Sequence, residues 1–340
     1  MPPPNLSARV RHRYRAGVSE DEAWPAWSGT ALVVRGSVVV EERSVALTGG
    51  PGSQPCSPQS RFQACSISKL VLSTVVLSLV ELGALDLHLP ITTWLDDLPI
   101  SWSTITLHHL LSNTSGLGHW GDISGLPRLL TAPPPREELL ALIAAAPLVE
   151  PSGAGWRYSG PGFLAAGRVV EAVTGQPYAA TADALVFTPA GLAATSSGPA
   201  PADPDVAVGH DHGRPWPLHP NFAGVTGSGD LWTTTGDLVR LGQALRTEQL
   251  LKTRSATQLW TCHTALAATN TTPGAVAMMG YGYGTFLGHV RGHKARINPG
   301  DMPGYQTLLA YLPDQELDLA VLCNEEAPSV DAALAELRLP

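Results

Sequence analysis

The most constraining feature of this 340-residue chain is an apolar run between positions 70 and 82 that has the length of a helix. Leucine and valine fill most of its positions on every side, and a helix that is apolar all round is buried in a protein core. Gly83 is well suited to end the helix just beyond its last turn. The chain is long enough to form the large core that such a buried helix needs.

A serine and a lysine stand immediately before this run. Ser66 and Lys69 are three residues apart, so in a helix their side chains project from the same face. The chain has only three lysines, and a partly desolvated lysine amine can take the proton from a serine hydroxyl and make it a nucleophile. The ordinary alternative is a helix start at which Ser66 is the cap and Lys69 is solvated.

Strand signals lie near both ends of the chain, and helix signals lie between them. β-branched runs flank Arg35 and Gly36, which predicts a hairpin. Strands are predicted at residues 30–34, 37–40, 281–290, 305–312 and 317–323, and helices at 106–112, 136–146, 162–174, 235–246 and 329–338. This order predicts one sheet assembled from both ends of the chain, with a mostly helical region inserted.

A tyrosine in the middle of the chain is a second candidate for chemistry. Tyr158 precedes a predicted helix and is followed by Ser159, Gly160 and Pro161, a setting that can aim a phenol into a cleft. Beside a cationic lysine the pKa of the phenol is expected to fall, so that phenolate becomes a base near neutral pH. The alternative is a core tyrosine.

A glycine-rich segment before a late strand is the third candidate. Gly300 and Gly304 lie between Arg296 and Tyr305. Glycine allows the edge of a strand to approach a ligand closely, and a backbone N–H there can face a substrate oxyanion. The alternative is a hairpin loop.

In chain order, these segments resemble the serine β-lactamase-like and penicillin-binding-protein-like family, and most closely its class C branch, which also contains esterases and transacylases. The Ser-x-x-Lys and Tyr-Ser-Gly patterns are joined by residues 105–117, ITLHHLLSNTSGL, which are similar to the family's TIRHLLTHTSGL. Residues 82–87, 167–175 and 229–238 resemble further segments of the family.

The resemblance implies an α/β (α+β) fold in which helices flank an antiparallel sheet built from both chain termini. It implies no metal and no cofactor. The predicted organisation is an N-terminal arm at residues 1–27 and a catalytic domain at 28–340, with a sheet part at about 28–65 and 275–340 and a helical part at about 66–274.

The resemblance also implies a role for each candidate residue. Ser66 would be the acylated nucleophile, Lys69 its proton acceptor, and Tyr158 the group that shuttles protons to the leaving group. The backbone N–H groups of Ser66 and Asp301 would form the oxyanion hole. The substrate would be held by a further set of residues, namely Asn113, Gly160, Arg296, Asn298 and Gly300.

Two positions depart from the family's pattern and bear on the substrate. Gly160 stands where the family has the asparagine of Tyr-x-Asn, which hydrogen-bonds the amide of an acylamino substrate. Asn298 stands where the family has a lysine or histidine, and it cannot carry the positive charge that captures a carboxylate; Arg296 could do so if it points inward. Both changes argue against a β-lactam or peptide substrate and leave Ser66, Lys69 and Tyr158 intact.

Composition argues against several other classes of function. A net charge of −8 and the lack of a Lys/Arg run disfavour nucleic acid as a partner. Four scattered cysteines show no metal-ligand spacing, and His210-Asp211-His212, with His219, is interpreted as a solvated loop rather than a metal site. The N-terminus has no apolar signal segment and no run is long enough to span a membrane, which predicts a cytoplasmic protein unless a leader has been removed.

The sequence therefore predicts an intracellular serine acyl-transfer enzyme. An ester, amide or thioester of a small molecule would acylate Ser66, and the acyl group would pass to an amine or alcohol, as in specialised-metabolite biosynthesis, or to water. The partners would be a small-molecule acyl donor and its acceptor, without nucleic acid or membrane. The alternatives are a β-lactamase or D-amino-acid peptidase and, in a different class, a catalytically silent relative that binds or regulates.

Overall fold

The computed structural model describes residues 26–46, 55–124, 132–216, 218–267, 275–326 and 329–339. Across these residues, no helix has the length and apolar character needed to cross a membrane. The predicted arm, residues 1–27, lies outside the described residues except for its last two, of which Trp27 is buried against the sheet.

A long antiparallel sheet organises the molecule. Its strands run in the order β2-β1-β13-β12-β11-β10-β9-β8. Strand β1, near the N-terminus, pairs with β13, near the C-terminus, so that Gly29 lies opposite Cys323. The predicted sheet from both ends of the chain is therefore confirmed. The strands are β1 (Gly29–Arg35), β2 (Val38–Val45), β3 (Phe62–Gln63), β4 (Ser196–Ser197), β5 (His210–Asp211), β6 (Arg214–Pro215), β7 (Leu231–Thr233), β8 (Thr264–Ala265), β9 (Val276–Tyr281), β10 (Phe286–Val290), β11 (His293–Met302), β12 (Tyr305–Leu312) and β13 (Leu317–Cys323).

The helices lie mostly between β3 and β9, as the sequence pattern predicts. The apolar helix α1 buries every residue from Ser68 to Leu79, because other elements cover all of its sides. Ser159 caps α4, which therefore starts two residues before the predicted position. The helices are α1 (Ser68–Glu81), α2 (Leu107–Leu111), α3 (Arg136–Ala145), α4 (Gly160–Thr174), α5 (Tyr178–Ala182), α6 (Thr235–Arg246), α7 (Thr253–Leu259) and α8 (Ser329–Glu336).

Helices cover both faces of the sheet, because its central strands alternate their apolar side chains between the faces. Leu308 and Ala310 of β12 pack with Ala333 of α8 on one face. Leu309 of β12 and Ala320 of β13 join the larger core, which contains α1 and α6, on the other face. The buried start of α1 is thereby fixed against the sheet, and the candidate site is built at this junction.

Candidate active site

A tight turn presents the predicted nucleophile. Ser66 is half-buried in a 3-10 turn (Cys65–Ile67) that leads directly into α1. Cys65 has a φ of 53°, in the left-handed region that a non-glycine residue enters at a cost of about 1–2 kcal/mol. The Cys65 side chain is fully buried, and burial raises the pKa of its thiol, so it stays protonated and does not compete with Ser66.

Lys69 is a buried amine that contacts the predicted nucleophile. Its side chain is 2% exposed, and Nζ donates to Ser66 Oγ at 3.0 Å and to the Ser228 carbonyl at 2.8 Å. Burial lowers the pKa of Lys69 to about 7, against smaller opposing effects of Cys65 and Asp230. Near neutral pH a large fraction of Lys69 is therefore a free amine, which can accept the Ser66 proton.

Tyr158 completes the group, with a protonation state opposite to the one expected. Lys69 Nζ lies 5.0 Å from the centre of its ring, and an interaction of the phenol with Ser66 favours a lower pKa of Tyr158. The expected fall in the phenol pKa is wrong, because desolvation raises the pKa of Tyr158 and outweighs the effect of that interaction. Tyr158 is accordingly a neutral phenol that can relay a proton, and Lys69 is better suited to be the base.

Asn113 positions the tyrosine segment. It is 1% exposed, and its Oδ1 accepts from the backbone N–H of Ser159 at 3.0 Å. Its own carbonyl accepts from Arg157 N–H at 2.9 Å, so the two bonds hold the chain on both sides of Tyr158. Its Nδ2 is buried without a hydrogen-bond partner among the described residues, and the predicted contact between Asn113 and substrate stays a prediction.

Gly300 lets β11 lie directly against the nucleophile turn. A Cβ at this position would lie 2.2 Å from Thr307 Oγ1 and 2.7 Å from Cys65 Cβ, distances that no side chain tolerates. Thr307 Oγ1 also donates to the Ala64 carbonyl at 3.0 Å. The predicted close approach is present, and the group approached is the Ser66 turn itself. Asp301 follows on β11, opposite Gln306.

The other two β11 residues predicted to hold substrate make contacts within the protein. Asn298 is 5% exposed, and its Nδ2 donates to the Gly284 carbonyl at 2.7 Å and to Thr285 Oγ1 at 3.2 Å. Arg296 stacks on Trp260, with its guanidinium carbon 3.8 Å from the ring centre. The inward orientation considered for Arg296 is therefore absent, because the cation–π contact turns it toward the end of α7.

A loop after α2 supplies two site residues that sequence reasoning did not assign. His119 Nδ1 accepts from Gly160 N–H at 3.2 Å, and its ring stands edge-on to Tyr158 with 5.4 Å between centres. Desolvation, with the charge of Lys69, lowers the pKa of His119 to about 3, so it is neutral. Trp120 lies over Gly160: a Cβ there would be 2.5 Å from the indole Nε1. In the sequence, the only indication of this pair was two aromatic residues shortly after the segment 105–117 that resembles the family.

A buried aspartate lies behind the lysine. Asp230 is 2% exposed, accepts from Gly227 N–H at 2.7 Å and also bonds the hydroxyl of Ser197. Burial raises the pKa of Asp230 to about 6. The same turn supplies the Ser228 carbonyl to Lys69, so this network fixes the direction of the amine. In the sequence, Asp230 was indicated only by its place in the segment 229–238, which resembles the family.

The loop that contains His210, Asp211 and His212 lies beside Glu325, an acidic residue distant in sequence. Ligand atoms of Asp211, His212 and Glu325 lie within 4.8 Å of one another. His210, by contrast, faces the Asn324 carbonyl at 3.2 Å, and the His219 ring accepts from Asn221 N–H. Glu325 Oε1 and Oε2 already accept backbone N–H groups of this loop, which accounts for the cluster as a loop anchor.

Comparison with known proteins identifies the family of this chain. A model of the Beta-lactamase family matches residues 10–339. The chain belongs to the β-lactamase family. It is 35% identical over 203 residues to Esterase EstB of Burkholderia gladioli, a match that covers 55% of this chain and 51% of the esterase. It is 26% identical to penicillin-binding protein PbpX of Bacillus subtilis, over 84% of this chain and 67% of that protein.

Solved structures agree with this assignment. A penicillin binding protein from Bacillus halodurans superimposes with a TM-score of 0.77 at 26% identity, covering 91% of this chain and 94% of the other. A D-stereospecific amidohydrolase from Streptomyces sp. gives a TM-score of 0.74 at 23% identity, over 91% and 93% of the two chains. The second likeness concerns the fold alone. The chain spans about half of the length of the esterase it resembles.

Proposed function

We propose that this β-lactamase-family chain is a serine acyl-transfer enzyme that forms an acyl-Ser66 intermediate from an ester, amide or thioester of a small molecule. The observation that carries the proposal is the contact between Lys69 Nζ and Ser66 Oγ, at 3.0 Å, with the pKa of Lys69 lowered to about 7. A serine needs a neutral base within hydrogen-bond reach, and a buried lysine without a carboxylate partner can be that base.

Acylation would proceed through these three side chains. Neutral Lys69 takes the hydroxyl proton of Ser66 while Oγ forms a bond to the substrate carbonyl carbon. The backbone N–H groups of Ser66 and Asp301 are the proposed donors to the oxyanion, and one such donor is worth about 10²–10³ in rate. As the bond to the leaving group breaks, the proton passes from Lys69 through Tyr158 to the departing oxygen, nitrogen or sulfur.

Deacylation would reverse the proton path. Water, an amine or an alcohol gives its proton to Lys69 through Tyr158 and attacks the acyl carbon, and Ser66 Oγ leaves and recovers a proton. The acceptor decides between an esterase or amidase and a transacylase. The named esterase among the relatives supports water as one acceptor. We include amines and alcohols because the same base can deprotonate them.

Three observations make a β-lactamase or D-amino-acid peptidase the weaker proposal. Position 160 has no side chain, and Asn298 is bonded to Gly284 within the protein. Arg296, the cation nearest to Asn298 in the β11 sequence, stacks on Trp260. A substrate carboxylate or acylamide would thus lose water without gaining the partners that the family usually offers.

The first experiment is covalent labelling of Ser66. Incubation with a p-nitrophenyl alkylphosphonate, followed by peptide mass spectrometry, should give one adduct on Ser66 and release one equivalent of p-nitrophenolate. Ser66→Ala should give neither, and Ser68→Ala, a matched neighbour whose hydroxyl donates to the Cys65 carbonyl, should retain labelling. Absence of any adduct with folded protein would reject the proposal in favour of a silent binding relative.

A second measurement separates the acceptors. With a p-nitrophenyl ester as donor, added amines or alcohols should divert part of the acyl group into amide or ester product. The ratio of new product to free acid reports how well the acyl-enzyme excludes water. If free acid is the sole product at every acceptor concentration, the chain is a hydrolase and transfer is rejected.

A further inference from the structure

The side chain that position 160 lacks is replaced in space by an indole. A Cβ on Gly160 would lie 2.5 Å from Nε1, 2.6 Å from Cε2 and 2.7 Å from Cζ2 of Trp120, well inside van der Waals contact. The N–H edge of Trp120 therefore lies against the backbone two residues after Tyr158. Glycine at 160 and tryptophan at 120 fit one another, and a side chain at 160 would displace the ring.

The loop that carries Trp120 is tied to the tyrosine segment at two points and is braced internally by Asp122. His119 Nδ1 accepts from Gly160 N–H at 3.2 Å. Asp122 accepts from His119 N–H at 2.7 Å and forms a two-pronged ion pair with Arg157, at 2.7 and 3.0 Å. A bidentate pair of this kind fixes direction as well as distance. The indole is thus held in register with the catalytic phenol.

The surroundings of this indole are aromatic, and the nearby amide side chains are buried. The Trp120 ring centre lies 6.1 Å from that of His119, which in turn lies 5.4 Å from that of Tyr158. Asn298 is bonded within the protein; Asn113 accepts from Ser159 N–H through Oδ1, and its Nδ2 has no hydrogen-bond partner among the described residues. Both side chains are at most 5% exposed, so neither faces an open cleft. An acylamino group bound here would leave its amide unpaired, whereas an apolar acyl group would bury its surface.

We propose that Trp120 is the acyl-selecting residue of this enzyme, and that the substrate is an ester or thioester of an apolar, preferably aromatic, acyl group with no amide beside the scissile carbonyl. This inference rests on the proposed acyl-Ser66 chemistry. The flat indole would stack on the acyl group as it reaches Ser66, and the absence of a side chain at 160 keeps the indole in place.

Three matched substrates test the selection. p-Nitrophenyl valerate and the p-nitrophenyl ester of N-acetylglycine have acyl chains of equal length and differ by the amide, and p-nitrophenyl phenylacetate carries a ring. The wild type should favour phenylacetate and valerate over N-acetylglycinate by about tenfold or more in kcat/KM. Equal or opposite preference would overturn the proposal.

Trp120→Ala should lower kcat/KM for phenylacetate by about tenfold, mainly through KM, and leave N-acetylglycinate nearly unchanged. Trp94→Ala is the matched control, since Trp94 is also half-buried and packs against the helical-side core. Gly160→Ala alone should lower turnover of phenylacetate by about tenfold, and the Trp120→Ala/Gly160→Ala double variant should lose no more than Trp120→Ala. A loss that is equal for all three substrates, or additive in the double variant, would contradict acyl selection.

The two proposals fail in different ways. Phosphonate labelling of Ser66 uses a small reagent whose reaction does not depend on acyl selection, and it is measured on every variant beside thermal melting. If wild-type Ser66 is not labelled, the acyl-enzyme proposal fails. If Ser66 is labelled in folded wild type and variants while substrate preference does not move with Trp120, only the selection by Trp120 fails.

Discussion

Two cationic side chains on the same face of the sheet, Arg246 and Lys69, have opposite surroundings. The Arg246 guanidinium lies 2.7 Å from Asp318 Oδ2, whose side chain is 2% exposed, and its carbon is 3.7 Å from the Tyr311 ring centre. The Arg246 side chain is 19% exposed, whereas Lys69 is 2% exposed; among the described residues the Lys69 Nζ forms no ion pair and bonds a hydroxyl and a carbonyl. Removing one partner of a buried ion pair destabilises a fold, whereas an unpaired buried amine is suited to proton transfer.

The largest expected effect comes from removing the unpaired cation. Lys69→Ala should lower kcat with a p-nitrophenyl ester by about 10³-fold or more, because Ser66 loses its base. Lys69→Arg should not rescue activity, since a guanidinium stays protonated. Lys252→Ala, at an exposed lysine, is the control and should match wild type. Substantial turnover by Lys69→Ala would remove the lysine from the mechanism.

The paired cation should matter for stability. Arg246→Met would leave the buried Asp318 carboxylate with only a 3.4 Å contact from Gln243 and should lower the free energy of unfolding by about 3 kcal/mol. Labelling of Ser66 in the folded fraction should persist. Urea unfolding measures the loss, and Arg168→Met, which breaks an exposed pair with Asp97, should change stability by about 0.5 kcal/mol or less. Equal losses of unfolding free energy in Arg246→Met and Arg168→Met would contradict a special role for the Arg246–Asp318 pair.

The pH profile should report the lysine. Because Lys69 must be neutral to act and its pKa is lowered to about 7, kcat/KM should fall about tenfold per pH unit below that value and level off above it. Asp230, with a pKa raised to about 6, adds a second ionisation on the acid side. In Asp230→Asn the second ionisation should disappear and the remaining midpoint should shift to lower pH, because the Asp230 charge raises the pKa of Lys69. A rate that declines on raising the pH through 7 would contradict lysine as base.

The smallest expected effect is a gain in stability. Lys69→Met keeps the length of the side chain and removes an amine that burial penalises, so the free energy of unfolding at pH 6 should rise by about 1–2 kcal/mol while activity is lost. The folded-state pKa of Lys69 lies below its unfolded value, so the amine's penalty is full below pH 7 and disappears as the pH rises toward 10.5. The gain should shrink over that window. Loss of stability at pH 6 would contradict the idea.

Local sequence patterns were sufficient to predict the framework and to select the three candidate side chains that the structure brings together. The apolar run of α1, the hairpin at Gly36 and the spacing of Ser66 and Lys69 are all short-range signals. The same patterns could not show that Trp120 covers Gly160, because the two lie on different segments and meet only through the fold. The direction of the Tyr158 pKa was likewise beyond reach, since it depends on how much water the finished site excludes.

The β11 residues illustrate the other limit. A strand pattern assigns Arg296 and Asn298 to one face, but it does not say which neighbours compete for them. Trp260 takes the guanidinium and Gly284 takes the amide, and both come from separate parts of the chain. The role of Gly300 was easier to predict, because a glycine in a strand indicates that another group approaches closely, whichever group that is.

The pairing of β1 with β13 has a consequence for how the molecule folds. Ser28 Oγ donates to Asn324 Oδ1 across 296 positions of sequence, and β13 separates the β1–β2 hairpin from β12 in the sheet. The hairpin therefore cannot pair with β13, and its apolar face stays uncovered, until β13 has been synthesised. Contacts of such long range make folding slow, and the unpaired edge of the hairpin is prone to aggregation until β13 joins the sheet.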